Sequence, residues 1–242
     1  MKNIRSRFFH GLAPVLFSLV LSVAPLHAQS HDSYLPDGKP NAITLLAPPP
    51  LPDSPEQAAD LAEVRAVSHG APSNDIAAAL VENKGVALVY FKPVVGNIFQ
   101  PETLPKTEAF LHRVQMDAQS VVDTSKDHWQ RPRPYMVDPS LASGKLQKSF
   151  SYPSGHSTES MTVALVLADL FPGKHDAIIA EARTIGWHRV EIARHYPTDI
   201  YAGRVLAQAI VKQMKKSDAF QKDFAEARAE ITSLQGTAAV GK

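Results

Sequence analysis

Between residues 103 and 130 apolar side chains recur in steps of three and four. Phe110, Leu111, Val114, Ala118, Val121 and Val122 fall on one stripe of a helix, and Pro132 and Pro134 end it. Residues 154–170 read as a buried helix closed by Phe171-Pro172-Gly173. A helix from 175 to about 189 carries Ile178, Ile179, Ala182 and Ile185, and it is followed by one at 199–214 and a charged amphipathic one at 217–234. Upstream, Ser54-Pro55-Glu56-Gln57 has the layout of a helix start. Ser54 is the N-cap, Pro55 suits the first turn and Gln57 can close a capping box, with the helix stopping near Gly70. A shorter helix begins around Ser73 to Asp75 and runs through Glu82 until Lys84-Gly85 interrupts it. Residues 86–91 lean toward strand on propensity. Strand patterns are otherwise nearly absent and there are no repeats, so the pattern predicts an all-α bundle of six to eight helices.

This helical domain is expected over residues 54–242. Residues 29–53 hold Pro36, Pro40, Pro48, Pro49, Pro50 and Pro52 with little periodicity, and predict an extended arm, laid over the domain or mobile. Residues 1–28 have the layout of a secretory signal peptide. Lys2, Arg5 and Arg7 form a basic start, Leu12 to Ala24 an apolar stretch, and Leu26-His27-Ala28 a small-residue cleavage point. The alternative is an uncleaved anchor, against which the stretch of 13 residues is short, since about 20 are needed to span a bilayer. No later apolar run is long enough to span, so the mature protein is expected to be soluble, periplasmic or secreted, without stable membrane insertion.

Composition narrows the chemistry. The chain of 242 residues has 44% hydrophobic and 20% charged residues, which excludes wholesale disorder. The absence of cysteine excludes disulfides, thiolate metal sites and a cysteine nucleophile. The net charge is +1, and loss of residues 1–28 removes three cations and no acids, leaving −2. No nucleic-acid partner is expected at that balance.

Three short segments carry candidate chemistry. In Lys126-Asp-His-Trp-Gln-Arg-Pro-Arg133-Pro134 a lysine near a helix end precedes arginines held rigidly by prolines. Lysine offers a point charge, and arginine a planar fork matched to phosphate oxygens. In Pro153-Ser154-Gly155-His156 a turn enters an apolar helix. Ser154 can cap it, Gly155 allows close approach, and the first N–H groups make a ready anion site beside His156. The third segment runs from His188-Arg189 to His195 and Asp199. Pro197 puts His195 in a turn, with Thr198 or Asp199 as the cap of the next helix. A carboxylate there can hold one imidazole nitrogen and free the other as nucleophile or base. Each segment alone also reads as ordinary structure: a solvated basic helix end, a capped helix with a surface histidine, a capping Asp with a bystander His.

Together the segments resemble the signature of the type 2 phosphatidic acid phosphatase superfamily, which includes vanadium haloperoxidases. Ten of its eleven fixed positions are met, by Lys126, Arg133, Pro134, Pro153, Ser154, Gly155, His156, Arg189, His195 and Asp199. The departure is His188, where the family usually has serine; a histidine there can donate to an anion or face away. The signal peptide, proline-rich arm, length and all-helical reading most resemble the secreted bacterial class A nonspecific acid phosphatases.

The resemblance implies an all-α bundle of the acid phosphatase and vanadium haloperoxidase type, with a small-molecule phosphomonoester as substrate. Lys126, Arg133, Arg189, Ser154 and Gly155 would bind phosphate. His195 would be the nucleophile held by Asp199, and His156 the acid that protonates the leaving alkoxide and then activates water. It implies no metal and no other cofactor, an acidic optimum, and a homo-oligomer built on a dimer. Two alternatives share the constellation: a vanadate-dependent haloperoxidase, and a lipid phosphate phosphatase working at a membrane surface.

Overall fold

The computed structural model describes residues 33–35, 38–83, 86, 88–96, 99 and 102–240. The signal-peptide expectation and the break at Lys84-Gly85 lie outside them. Among the described residues the chain is helical without strands. The order is α1 (Ala42–Leu45), α2 (Pro55–Gly70), α3 (Ser73–Glu82), α4 (Lys92–Val95), α5 (Pro105–Trp129), α6 (Pro134–Val137), α7 (Gly155–Leu170), α8 (His175–Glu191), α9 (Pro197–Met214) and α10 (Asp218–Val240). Seven of these have ten or more residues, within the predicted range.

The local signals act as read, with informative exceptions. Ser54 Oγ accepts the Gln57 N–H at 3.1 Å and Pro55 opens α2. The Gln57 side chain does not return the favour: its Oε1 accepts from Arg131 at 2.7 Å. Residues 88–91 correct the strand-leaning reading. They form a 3-10 turn, Leu88–Phe91, running into α4. Propensity favours extension there, but a strand needs a partner, and the segment instead buries Phe91 completely against the helices. Helix α9 begins at Pro197, two residues before the expected start, because proline's fixed φ suits a first helical position.

Helix α7 is the hub. It packs against α5, α8 and α9, while α10 lies on α5, and α2 and α3 lie on α8. Val163, Ala164, Val166 and Leu167 of α7 are buried with Leu111, Val114 and Val121 of α5 in the larger core. A smaller cluster joins Leu61 and Val64 of α2 to Tyr135, Val190, Ala193, Tyr196 and Ile200. Ala193 and Tyr196, on either side of the α8–α9 turn, are thereby anchored. Residues 33–35 are packed down: Tyr34 is fully buried, its backbone N–H donates to Asp117 at 2.7 Å and its hydroxyl to Asp223 at 2.6 Å.

Candidate active site

The α8–α9 turn places His195. Arg189, in the last turn of α8, accepts at its carbonyl from the Arg194 and His195 N–H groups at 2.8 and 3.2 Å, and Ala193 turns the chain at φ 51°. Asp199 stands in the first turn of α9, where Oδ2 accepts the Tyr196 N–H at 2.9 Å. The same oxygen lies 3.2 Å from His195 Nδ1. On its other side, His195 Nε2 lies 3.1 Å from Arg133 Nη1. A carboxylate only accepts and a guanidinium only donates, so both contacts fix one tautomer, with the proton on Nδ1 and a lone pair on Nε2.

Burial and the neighbouring Arg133 push His195 well below the ordinary imidazole range, with Asp199 opposing. Burial pushes the Asp199 carboxyl up, but Arg131, His195 and Ser151 together hold it well below the usual carboxylate range. The resting pair is therefore neutral imidazole and carboxylate.

Arg133 follows α5 in the extended linker. Its Nε donates to Ser149 O at 2.7 Å, Nη1 to Arg194 O at 2.8 Å and Nη2 to Ser149 Oγ and Phe150 O at 3.0 and 3.2 Å. With His195 Nε2, all five of its N–H groups have acceptors. Lys126, in the last turn of α5, is buried in the same field. Burial and Arg133 draw it down to about 8, against the pull of Asp123, Asp199 and Glu159. Ser154 caps α7, its Oγ accepting from Ser157 N at 3.3 Å, while its own N–H donates to Asp199 O at 3.1 Å. Gly155 opens the helix there, and a Cβ on it would stand 3.4 Å from Glu159 Oε1.

The last turn of α3 closes one side. Arg189 Nη1 donates to Ala79 O at 3.0 Å and Nη2 to Asn83 Oδ1 at 2.6 Å. Among the described residues its buried Nε has no acceptor. Burial draws Arg189 down to about 10. His156 Nε2 lies 2.8 Å from Glu82 O, which makes that nitrogen a donor. Burial first, then Arg189, draws His156 down to about 3 with only protein charges around it. An anion in the pocket would oppose that shift. His188, at the position that departs from the family pattern, is buried against α3 with Nδ1 3.0 Å from both Glu82 carboxylate oxygens. Burial lowers it, yet Glu82 more than offsets this and its pKa is raised.

The structure thus brings Lys126, Arg133, Ser154, Gly155, His156, Arg189, His195 and Asp199 to one end of the bundle, where α7 and α9 begin and α5 and α8 finish. Sequence reasoning missed Arg131, Ser151, Asp60 and Glu82. Arg131 alone had a visible signal, its place between Gln130 and Pro132 in the proline-stiffened linker. Ser151 Oγ donates to Asp199 Oδ2 at 2.5 Å. Three cations, a helix N-terminus and an imidazole with a lone pair suit an anion whose central atom is electrophilic. Among the described residues no group of three or more His, Asp and Glu side chains is disposed to hold a metal, and no helix is long and apolar enough to cross a membrane.

The chain is 27% identical to a non-specific acid phosphatase of Salmonella typhi over 241 residues, covering 96% of this chain and 93% of that protein. It is 27% identical to an acid phosphatase of Zymomonas mobilis over 204 residues, covering 81% and 77%. Among solved structures it resembles a transmembrane PAP2 type phosphatidylglycerolphosphate phosphatase from Bacillus subtilis, with a TM-score of 0.51 and 19% identity over 72% of this chain and 89% of that one. That likeness speaks for a shared fold alone. The family model of the PAP2 superfamily matches residues 114–219, which hold all eight of the sequence-predicted site residues. Residues 114–219 thus match the PAP2 superfamily, within a likeness to bacterial acid phosphatases that extends over most of the chain.

Proposed function

We propose that the protein is a secreted, metal-independent acid phosphatase that hydrolyses phosphomonoesters through a phosphohistidine at His195. The observation that carries this reading is the double constraint on His195, with Asp199 on Nδ1 and Arg133 beside an Nε2 lone pair. The relatives named as acid phosphatases support it over most of the chain.

In the first step the Nε2 lone pair attacks phosphorus in line and the ester P–O bond breaks. Lys126, Arg133, Arg189 and the N-terminus of α7 neutralise charge on the equatorial oxygens. His156 passes a proton to the leaving alkoxide. In the second step His156 takes a proton from water, the hydroxide attacks phosphorus, the P–N bond breaks and its electron pair returns to Nε2. The bound phosphate dianion raises His156 from the low value set by burial and Arg189, so proton donation is tied to substrate occupancy.

The test is to incubate the enzyme with a radiolabelled aryl phosphate, quench in alkali, and look for label on protein. Alkali preserves phosphohistidine and strips phosphoserine. Label and turnover are expected in the wild type with EDTA present. Both should vanish in His195→Ala, while inorganic phosphate still binds. Normal turnover by His195→Ala, or loss with EDTA that a divalent ion restores, would overturn the mechanism.

A further inference from the structure

Arg131 lies two residues before Arg133 and only 3% of its side chain is exposed. None of its bonds is directed at the phosphate cradle. Nη1 donates to Asp199 Oδ1 at 2.6 Å and to Thr198 Oγ1 at 2.7 Å. Nη2 donates to Gln57 Oε1 at 2.7 Å and to Asp60 Oδ2 at 2.6 Å, both on α2. The guanidinium plane lies over the Tyr196 ring, 3.9 Å from its centroid. Asp60 in turn accepts from the Thr198 N–H and hydroxyl at the start of α9. The two oxygens of Asp199 therefore divide their work. Oδ1 takes Arg131, and Oδ2 takes His195, Ser151 and the Tyr196 N–H.

We infer that Arg131, braced on α2 by Asp60 and Gln57, is a positioning residue that holds the Asp199 carboxylate so that the His195 proton stays on Nδ1. This rests on the proposed role of His195. The chemistry requires an arginine, because a planar fork bridges two carboxylates at fixed angles where one ammonium reaches only one side. Seven titratable or charged groups surround Asp199: Lys126 on α5, Arg131 and Arg133 in the linker, Tyr152 before α7, His195 and Tyr196 in its own turn, and Asp60 of α2 on the far side of Arg131. Arg131 is the cation that touches it. Without Arg131, Asp199 binds its proton at higher pH and the acid limb of kcat moves upward. Partner losses of this outer kind typically cost about 10–100-fold.

The experiment compares Arg131→Met and Arg131→Lys with wild type, using the pH profile of kcat and the 15N spectrum of the His195 ring in histidine-labelled protein. Arg131→Met is expected to lose about 10–100-fold in kcat. Inorganic phosphate should inhibit it as before, its activity should fall off at higher pH on the acid side, and its spectrum should show mixed Nδ1–H and Nε2–H tautomers. Arg131→Lys keeps the charge, so its acid limb should return toward wild type while the tautomer mixture persists. An unchanged Nδ1–H spectrum and acid limb in Arg131→Met would overturn the inference. If that variant does not fold, Arg131→Lys decides: a wild-type spectrum and rate there would overturn it equally. The ring spectrum does not depend on turnover, so an active His195→Ala enzyme would remove the nucleophile without deciding whether Arg131 sets the tautomer.

Discussion

Gly203 of α9 faces the first turn of α7, and replacing it with alanine tests whether that contact shapes the phosphate cradle. A Cβ at Gly203 would stand 2.9 Å from the Ser154 carbonyl oxygen, 3.0 Å from Ser157 Cβ and 3.0 Å from Thr158 Oγ1. Helix propensity alone favours the substitution by about 1 kcal/mol. The opposing atoms cannot easily yield. Ser154 O already accepts from Thr158 N at 3.0 Å and Thr158 Oγ1 at 2.8 Å, and Ser157 Oγ is tied to Ile200 O at 2.8 Å. Overpacking a filled core costs about 1–3 kcal/mol. Three simultaneous tight contacts, one of them backbone, place this case at the upper end. The net expectation is a loss of about 1–2 kcal/mol, or about 2–8 °C in Tm for a domain of this size. Because the displaced atoms belong to Ser154, KM and phosphate inhibition should weaken several-fold while kcat changes less. Gly186→Ala is the control, since its nearest contact, Ser157 Oγ at 3.2 Å, is longer than all three at Gly203 and none of its contacts is backbone. Thermal unfolding and steady-state kinetics of both variants decide. An unaltered or raised Tm in Gly203→Ala would refute the packing argument, and a lowered Tm with unchanged KM would refute its link to the cradle.

Three further expectations concern protons. His156→Ala should reduce kcat/KM for alkyl phosphates by about 10²–10⁴-fold, the usual worth of general acid catalysis, and affect aryl phosphates with acidic phenols far less; equal losses would make His156 a phosphate ligand only. Glu159 is raised from 4.5 to about 7 by burial, so it favours folding below its ordinary value and penalises it progressively as pH rises through about 7. Glu159→Gln should therefore gain up to about 3 kcal/mol at pH 8 and little at pH 4, and equal effects at both in chemical denaturation would contradict the burial argument. His188 is raised by Glu82, so that pair contributes fully below the ordinary histidine value of about 6.5 and fades as pH climbs past the raised one. Glu82→Gln should accordingly lower Tm at pH 5.5 and change it little at pH 9; the reverse order would exclude the ion pair.

The site was more legible than its supports, for a physical reason. Phosphate chemistry demands particular residue types at short spacings, so Pro153-Ser154-Gly155-His156 and the Arg189, His195, Asp199 run stand out in one dimension. Asp60 and Arg131 meet across 71 positions, and no local pattern encodes that meeting. Gln57 illustrates the same limit: its sequence neighbours suggest a capping box, yet a buried guanidinium offers it a stronger partner than a helix N–H. Helices were read from their periodicity and proline stops, as in α5. Residues 88–91 escaped because a four-residue apolar run carries no period to separate a helical turn from a strand.

Arg133 has a consequence for when the proposed nucleophile is reactive. Every hydrogen of its guanidinium is already spoken for, four by the 149–150 segment and the Arg194 carbonyl and one by His195 Nε2. A phosphate oxygen can take a hydrogen from this group only by evicting an acceptor. The four others belong to the packed framework, whereas the imidazole needs only to give up its share of Nη1. Evicting it leaves the Nε2 lone pair bare at the moment a phosphorus atom arrives beside it. The vacant enzyme would thus carry a blunted nucleophile, indifferent to stray electrophiles, and the act of docking would sharpen it.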